Sequence, residues 1–305
     1  MAYIGRTPTP SALTSSDITD GIITTAKIAD SAVTTEKIGA DTNFRNIIIN
    51  GDMSVAQRAA STSSITGNGY HTVDRFQTIA SSLGTWTQSQ STDVPTGQGF
   101  ATSLKMDCTT ADASPASGDN LYIRQKIEGQ NLQYLKKGTS SAESLTLSFW
   151  VRSNKTGTAQ VNLVDEDNSR LNGIKYTISS ANTWEKKTLT FDGDTSGVFT
   201  NDNGTSLRLE FWLDAGSDYT SGTTPTSWQS NTSADQFAGC TLALGDSTDN
   251  EWYVTGVQLE AGTSASDFEF LPVDVNLERC KRYYQLLDGG DATSAISVAA
   301  SYSTT

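Results

Sequence analysis

The sequence predicts a mainly β protein, a jelly-roll-like antiparallel β-sandwich preceded by a short repetitive stalk and followed by a short α-helix. Three observations carry this expectation. From about Phe44 to Leu271, apolar and polar residues alternate at period two, interrupted by the turn dipeptides Asn50-Gly51, Asn172-Gly173, Asp192-Gly193 and Asn203-Gly204. Serine and threonine make up roughly a quarter of the 305 residues while charged residues are 18%, a balance that suits polar sheet faces better than charged amphipathic helices. Residues 18–38 repeat at an interval that fits neither a long helix nor a strand.

The elements follow in chain order. Residues 1–16 are a proline-containing leader to the stalk at 17–41. There Ile18-Thr-Asp20-Gly-Ile-Ile23-Thr24-Thr25-Ala-Lys27-Ile28 returns as Ile28-Ala-Asp30-Ser-Ala-Val33-Thr34-Thr35-Glu-Lys37-Ile38. An apolar residue at Ile18, Ile23, Ile28, Val33 and Ile38 gives a one-sided stripe that two short units cannot bury alone. The neighbours that cover it are then other copies of the chain, and a parallel three-fold fibre is the simplest closed form.

The sandwich is expected over 42–272. Ile47-Ile48-Ile49 reads as a buried opening strand. Leu145, Leu147, Phe149 and Val151 share one strand face, and Leu207, Leu209, Phe211 and Leu213 share another. Weaker strands are Ala159-Val161-Leu163, Ile174-Tyr176-Ile178, Leu189-Phe191 and Tyr253-Thr255-Val257-Leu259. Clean alternation leaves one wet face per sheet, the pattern of two packed antiparallel sheets. Long loops are expected near Thr87–Gly99 and Asp214–Gln236. Phe268–Pro272 closes the last strand, and over 273–305 Asp274 caps a short helix carrying Val275, Cys280, Tyr283 and Leu287.

Composition excludes several function classes. Lys plus Arg is 21 against 34 Asp plus Glu, a net charge of −13, whose field opposes nucleic-acid partners. No segment approaches the ~20 apolar residues that membrane insertion requires. Cys108, Cys240 and Cys280 are too scattered for a disulfide framework or a zinc site, and Cys108 alternates with Leu104 and Met106 as a core residue. No cofactor is expected. His71 stands alone without a nucleophile elbow. The acidic turns Asp165-Glu166-Asp167 and Asp192-Gly-Asp194 read as backbone-capping turns rather than a glycosidase pair, and with Asp202 and Asp246 they show no calcium-loop spacing. The chain is therefore expected to be non-enzymatic and to hold no metal.

Strand parity singles out a binding candidate. Trp150 and Arg152 point opposite to the apolar set of their strand, as do Trp212, Arg208 and Glu210 in theirs, while Tyr219 and Trp228 lie in the loop that follows. Aromatic rings flanked by Arg and Glu suit sugars, the ring stacking on pyranose C–H groups while the charged groups bond hydroxyls. The same side chains suit burial under a loop or at a subunit contact.

The decapeptide repeat resembles the stalk repeats of tailed-bacteriophage tail fibres. Ala2-Tyr3-Ile4-Gly5-Arg6 with Pro8 and Pro10 is similar to the virion-proximal ends of marine phage fibres. Asn46-Ile-Ile-Ile-Asn-Gly-Asp-Met-Ser-Val-Ala-Gln-Arg58, Gly69-Tyr-His-Thr-Val-Asp-Arg75, Leu147-Ser-Phe-Trp-Val-Arg-Ser153, Phe211-Trp-Leu213 and Val257-Gln-Leu-Glu-Ala-Gly262 are similar to phage fibre domains built like carbohydrate-binding modules. The resemblance implies a homotrimeric virion fibre, assembled in the host cytoplasm, attached through residues 1–16 to a virion protein and adsorbing to host glycans. In that family the Leu-Glu-Arg-Cys-Lys-Arg-Tyr-Tyr helix is followed by a further β-rich portion, so a distal segment is expected beyond it. A structural spacer or head fibre and a glycan depolymerase remain the rival readings.

Overall fold

The computed structural model describes residues 45–288 and 295–298, with side chains over 45–286. The leader, the stalk with Ile18, Ile23, Ile28, Val33 and Ile38, and all of the distal segment expected after the helix except 282–288 and 295–298 lie outside the described residues. What is described falls in one compact unit, Arg45–Thr305.

Two six-stranded antiparallel sheets form the sandwich. Sheet 1 contains β1 (Ser61–Ile65), β3 (Thr85–Ser91), β4 (Ser103–Thr110), β6 (Leu145–Ser153), β9 (Glu185–Phe191) and β12 (Glu251–Ala261), in the order β1-β3-β4-β12-β6-β9. Sheet 2 contains β2 (Gln77–Ser81), β5 (Asn120–Glu128), β7 (Gly157–Asp165), β8 (Arg170–Ile178), β10 (Thr205–Ala215) and β11 (Gln229–Ser230), in the order β11-β8-β7-β10-β5-β2. The chain crosses repeatedly between the sheets, as a jelly-roll-like sandwich does. Helices α1 (Ser217–Thr220) and α2 (Val273–Lys281) and a hairpin of β13 (Gln285–Asp288) and β14 (Ala295–Val298) complete the described chain.

Parity builds the core. Leu147, Phe149 and Val151 of β6 face Val161 and Leu163 of β7 and Leu209 and Phe211 of β10, all fully buried. The Phe149 ring meets Phe211 and Tyr176 edge-on at 5.1 and 5.2 Å, the arrangement ring quadrupoles favour. Each such side chain contributes about 1.5–3 kcal/mol by leaving water. The edge strand β9 carries Glu185, Lys186 and Lys187, charges that discourage pairing with another sheet.

Several expectations are corrected. Ile47–Ile49 is not a strand: Ile47 N donates to Leu259 O of β12, but the next two amides turn to side chains and the ladder does not continue. Ile48 N donates to Asn46 Oδ1, Ile49 N to Gln125 Oε1, and Asn50 turns the chain at φ 62°. Asn172-Gly173 lies inside β8 rather than in a turn, since a Cβ at Gly173 would sit 2.5 Å from the Gln160 and Asn162 amides packed across it. Thr87 belongs to β3, so the loop there begins after Ser91.

In β12 the core side chains switch parity, from Trp252 and Val254 to Val257 and Leu259. A bulge between Thr255 and Gln258 opposite β6, with Gly256 at φ +62°, inserts the extra residue. The strand ends at Ala261, so Phe268–Pro272 is irregular chain. Pro272, not Asp274, occupies the N-cap of α2, and Asp274 sits in its first turn, where a carboxylate complements the helix dipole.

Three of the segments on which the resemblance rests, 46–58, 69–75 and 257–262, form a clasp with α2 and the chain that follows it. Asn50 Oδ1 accepts from Val55 N, while its amide donates to Val55 O and Asp74 O. The buried Asn276 of α2 accepts from Asn50 N and donates to Asp52 and Ser54. Gln57 donates to Tyr284 O, and Arg279 to Asn46 O. Arg58 lies over the Tyr284 ring at 3.6 Å and Arg75 over Tyr283 at 3.3 Å. Gln258 and Glu260 hold the 266–269 loop through Ser266, Asp267 O and Glu269 N.

Candidate functional site

The seven binding candidates do not converge. Trp150 and Arg152 lie on the outer face of sheet 1, Arg208, Glu210 and Trp212 on the outer face of sheet 2, and Trp228 at the β8 margin of sheet 2. A single platform from all seven is therefore ruled out by topology.

Trp212 points away from the sheet interior as parity predicts, yet it is only 1% exposed. The loop after β10 folds back over it. Tyr122 stacks on its ring at 4.3 Å, Tyr219 of α1 meets it at 5.1 Å, and Phe237 lies at 6.4 Å. Its Nε1 donates to Glu210 Oε2, and Glu210 in turn pairs with Arg208. The Tyr219 hydroxyl accepts from Asn120. Trp228 donates its indole N–H to Asp192 O and faces the Lys137 ammonium at 5.7 Å. These groups fasten loops: Trp212 is sealed, while Tyr219 and Trp228, still partly exposed, are held by Asn120 and Asp192.

The outer face of sheet 1 is different. Register places Arg152 beside Tyr253 and Tyr253 beside Lys105, while Trp150 sits between Thr255 and Lys186 one row away. Trp184, just before β9, meets Tyr253 edge-on at 6.1 Å and donates its N–H to Asp93 Oδ1 at 2.8 Å. Trp150, Trp184, Arg152 and Lys105 all remain partly exposed.

The charges on this face are fixed in place. The Arg152 guanidinium lies 4.8 Å over Tyr253 and reaches Glu251 at 3.1 Å, Asp93 at 3.3 Å and Asn182 at 3.1 Å. Lys105 bridges Glu251 at 2.9 Å and Asp107 at 3.1 Å, and the Tyr253 hydroxyl donates to Glu251. Burial alone raises a carboxyl pKa, but the Lys105 and Tyr253 hydrogen bonds and the Lys105 charge hold Glu251 below the ordinary range. Burial and the bond to Glu251 keep the Tyr253 phenol protonated above its usual value. Tyr253 itself is only 5% exposed beneath Arg152, so Trp150 and Trp184 are the rings this face leaves partly open, beside donors and acceptors that are already oriented. Parity located Trp150 and Arg152. It missed Trp184, which precedes its strand, and Tyr253, whose strand changes parity at the bulge.

Elsewhere the acidic turns are engaged in structure. Asp165 and Asp194 hold Lys137, Asp194 also holds Arg170, Asp246 holds Lys155, and Asp167 accepts from Thr200. Among the described residues no group of three or more His, Cys, Asp or Glu is placed to hold a metal ion, and no helix is long and apolar enough to cross a membrane. His71 packs against Gly69, and burial lowers its pKa.

No protein-family model and no curated protein matches this sequence. Among solved structures, the enzymatically active domain of bacteriophage CBA120 tailspike protein 4 is similar over 71% of this chain at 14% identity and TM-score 0.37, and the match spans only 21% of that structure. The N-terminal cellulose-binding domain of Cellulomonas fimi β-1,4-glucanase C matches over 69% of this chain and 100% of its own, at 10% identity and TM-score 0.32. A family 11 carbohydrate-binding module from Clostridium thermocellum, in complex with a β-1,3-1,4-mixed-linked tetrasaccharide, matches over 67% and 98%, at 9% identity and TM-score 0.30. Likeness at this level leaves function to be argued from the residues of this chain itself.

Proposed function

We propose that this protein is a non-enzymatic fibre component of a tailed-bacteriophage virion that binds host-surface glycans through the outer face of sheet 1. The observation that carries the glycan reading is the pair of partly exposed rings, Trp150 and Trp184, on a face where Arg152, Lys105 and Glu251 are fixed around the buried Tyr253. Rings accept the apolar faces of pyranoses, and side chains already ordered by one another lose little entropy when they bond hydroxyls. Engagement of the acidic turns in ion pairs supports a non-catalytic role. The decapeptide stripe supports a homotrimer, and the motifs similar to phage fibres support attachment to a virion protein through the N-terminal segment. Three copies would give avidity toward a repeated glycan.

The test is a glycan array with the purified full chain and its Trp150→Ala and Trp184→Ala variants, each checked for an unchanged melting temperature. Binding that falls tenfold or more in both variants supports the reading, and binding that survives both overturns it. No binding by the parent chain favours the spacer. Mass photometry at micromolar concentration is expected to give a trimer, and a monomer refutes the fibre assembly.

A further inference from the structure

The outer face of sheet 2 carries a second feature, independent of the aromatic rings on sheet 1. On β5, Arg124 and Lys126 point outward two residues apart, a separation of about 6.6–6.8 Å along a strand. Across the ladder, Glu210 stands opposite Arg124 and Arg208 opposite Lys126, with Gln77 of β2 on the other side of Arg124.

The charges here do not balance. Glu166 and Glu210 both pair with Arg208. Among the described residues neither Arg124 nor Lys126 makes an ion pair, and the Arg124 Nε donates to the neutral Gln77 Oε1 at 2.8 Å. A further cation, the buried Arg75, donates to the carbonyl of Lys126 and makes no ion pair among the described residues, feeling Glu128 only at a distance. Burial and then the charge of Arg124 lower the Lys126 pKa, Glu166 opposes them, and Arg208 and Arg75 add to the lowering. Like charges side by side on a sheet face are destabilising without a counter-ion, and this excess stands on a chain of net charge −13. Both side chains remain partly exposed.

We propose that Arg124 and Lys126 bind the acidic groups of a polysaccharide, uronate carboxylates or sulfate esters, on the outer face of sheet 2. Two anionic groups on neighbouring sugar rings can engage the adjacent guanidinium and ammonium, with Gln77 beside them to bond a hydroxyl. Arginine favours such planar acceptors through paired N–H donors, and lysine supplies a point charge. Arg208, pinned by its two glutamates, forms the boundary of the site.

The experiment is affinity electrophoresis of the full chain in native gels containing polygalacturonate, chondroitin sulfate or neutral hydroxyethyl cellulose. Retardation is expected in either or both acidic gels and not in the neutral one. Polygalacturonate and chondroitin sulfate separate carboxylate from sulfate recognition. In Arg124→Gln/Lys126→Gln the apparent affinity should fall at least tenfold, while Lys126→Arg retains it, and raising salt from 50 to 200 mM should weaken it several-fold as counter-ions compete. Trp150→Ala should leave this retardation intact, so the site can fail or stand independently of the sheet 1 reading. The proposal is overturned if the acidic gels retard the chain no more than the neutral gel, or if the double variant is retarded like the parent. It also falls if duplex DNA is bound equally well through the same residues, or if the double variant changes only the oligomeric state.

Discussion

Two adjacent lysines allow a sharp test of how the 193–200 loop is held. Lys137 is 5% exposed at its side chain, with its Nζ 2.5 Å from Asp165 and 3.1 Å from Asp194, themselves 0% and 3% exposed. It also donates to the carbonyls of Ser196 and Gly197 at 2.8 and 3.0 Å. Lys136 pairs with Glu143, but those side chains are 55% and 40% exposed. Lys137→Met keeps the volume and strands a buried carboxylate. Breaking a buried pair costs about 3–5 kcal/mol, and because Arg170 still holds Asp194 the lower end, about 3 kcal/mol, is expected. For a sandwich of this size that lowers Tm by about 6–12 °C. Lys136→Met should cost less than about 1 kcal/mol, as exposed pairs do.

The pH dependence follows from Asp194. Burial raises its pKa, but bonds from Arg170, Ser196 N and Lys137 together hold it below the usual range. A depressed carboxylate contributes stability above its unfolded value near ~4 and loses it as pH falls through the folded value. The gap between parent and Lys137→Met should therefore be widest at neutral pH and narrow below about pH 4. Urea unfolding followed by tryptophan fluorescence measures both. A Lys137→Met cost at neutral pH no greater than that of Lys136→Met would refute the argument.

Other consequences are equally direct. At Gly256 an added Cβ would lie 2.6 Å from the Phe100 ring at φ +62°, so Gly256→Ala should cost about 2–4 kcal/mol in urea. Gly262→Ala, at φ +115° with nothing within 4 Å, should show backbone strain alone, about 1–2 kcal/mol. Equal losses at the two glycines would mean that Phe100 does not constrain the bulge. Asp214 accepts from the Gly245 and Ala215 amides, yet burial pushes its pKa up to about 6. Its stabilising contribution is full below pH ~4 and is withdrawn as pH rises through about 6. Asp214→Asn should thus gain on the parent by up to about 3 kcal/mol between pH 4 and 8, and a constant difference across that range refutes the assignment.

The strands that sequence pattern found are those with large apolar residues at strict alternation, β6 and β10 above all. Those it missed bury polar residues on the inner side. β3 turns Trp86 and Gln88 inward, and Gln88 is bonded there by Thr72 and Thr78, so its apolar signal is absent. In β5, Gln125 interrupts Leu121, Ile123 and Ile127 because its amide serves the backbone of Ile49. Half of the candidate site was legible for the same reason. Parity shows which side of a sheet a residue occupies, hence Trp150 and Arg152. It does not show what the following loop covers, so Trp212 and Trp150 look alike in sequence while one is sealed and the other partly open.

The clasp between the opening segment and α2 sets the path of force through the molecule. Asn46 and Tyr284 are brought to one end by the bonds of Asn276, Gln57 and Arg279. Tension between those two positions loads these hydrogen bonds and the stacked arginines together with the bonds from Asn46 and Ile47 to Val257 and Leu259 of β12 and from Ile49 to Gln125 of β5, so it enters both sheets. The yield point under pull is then set by the clasp together with the inner strands β12 and β5 to which it is bonded, while the edge strand β9, which makes none of these bonds, lies outside that path.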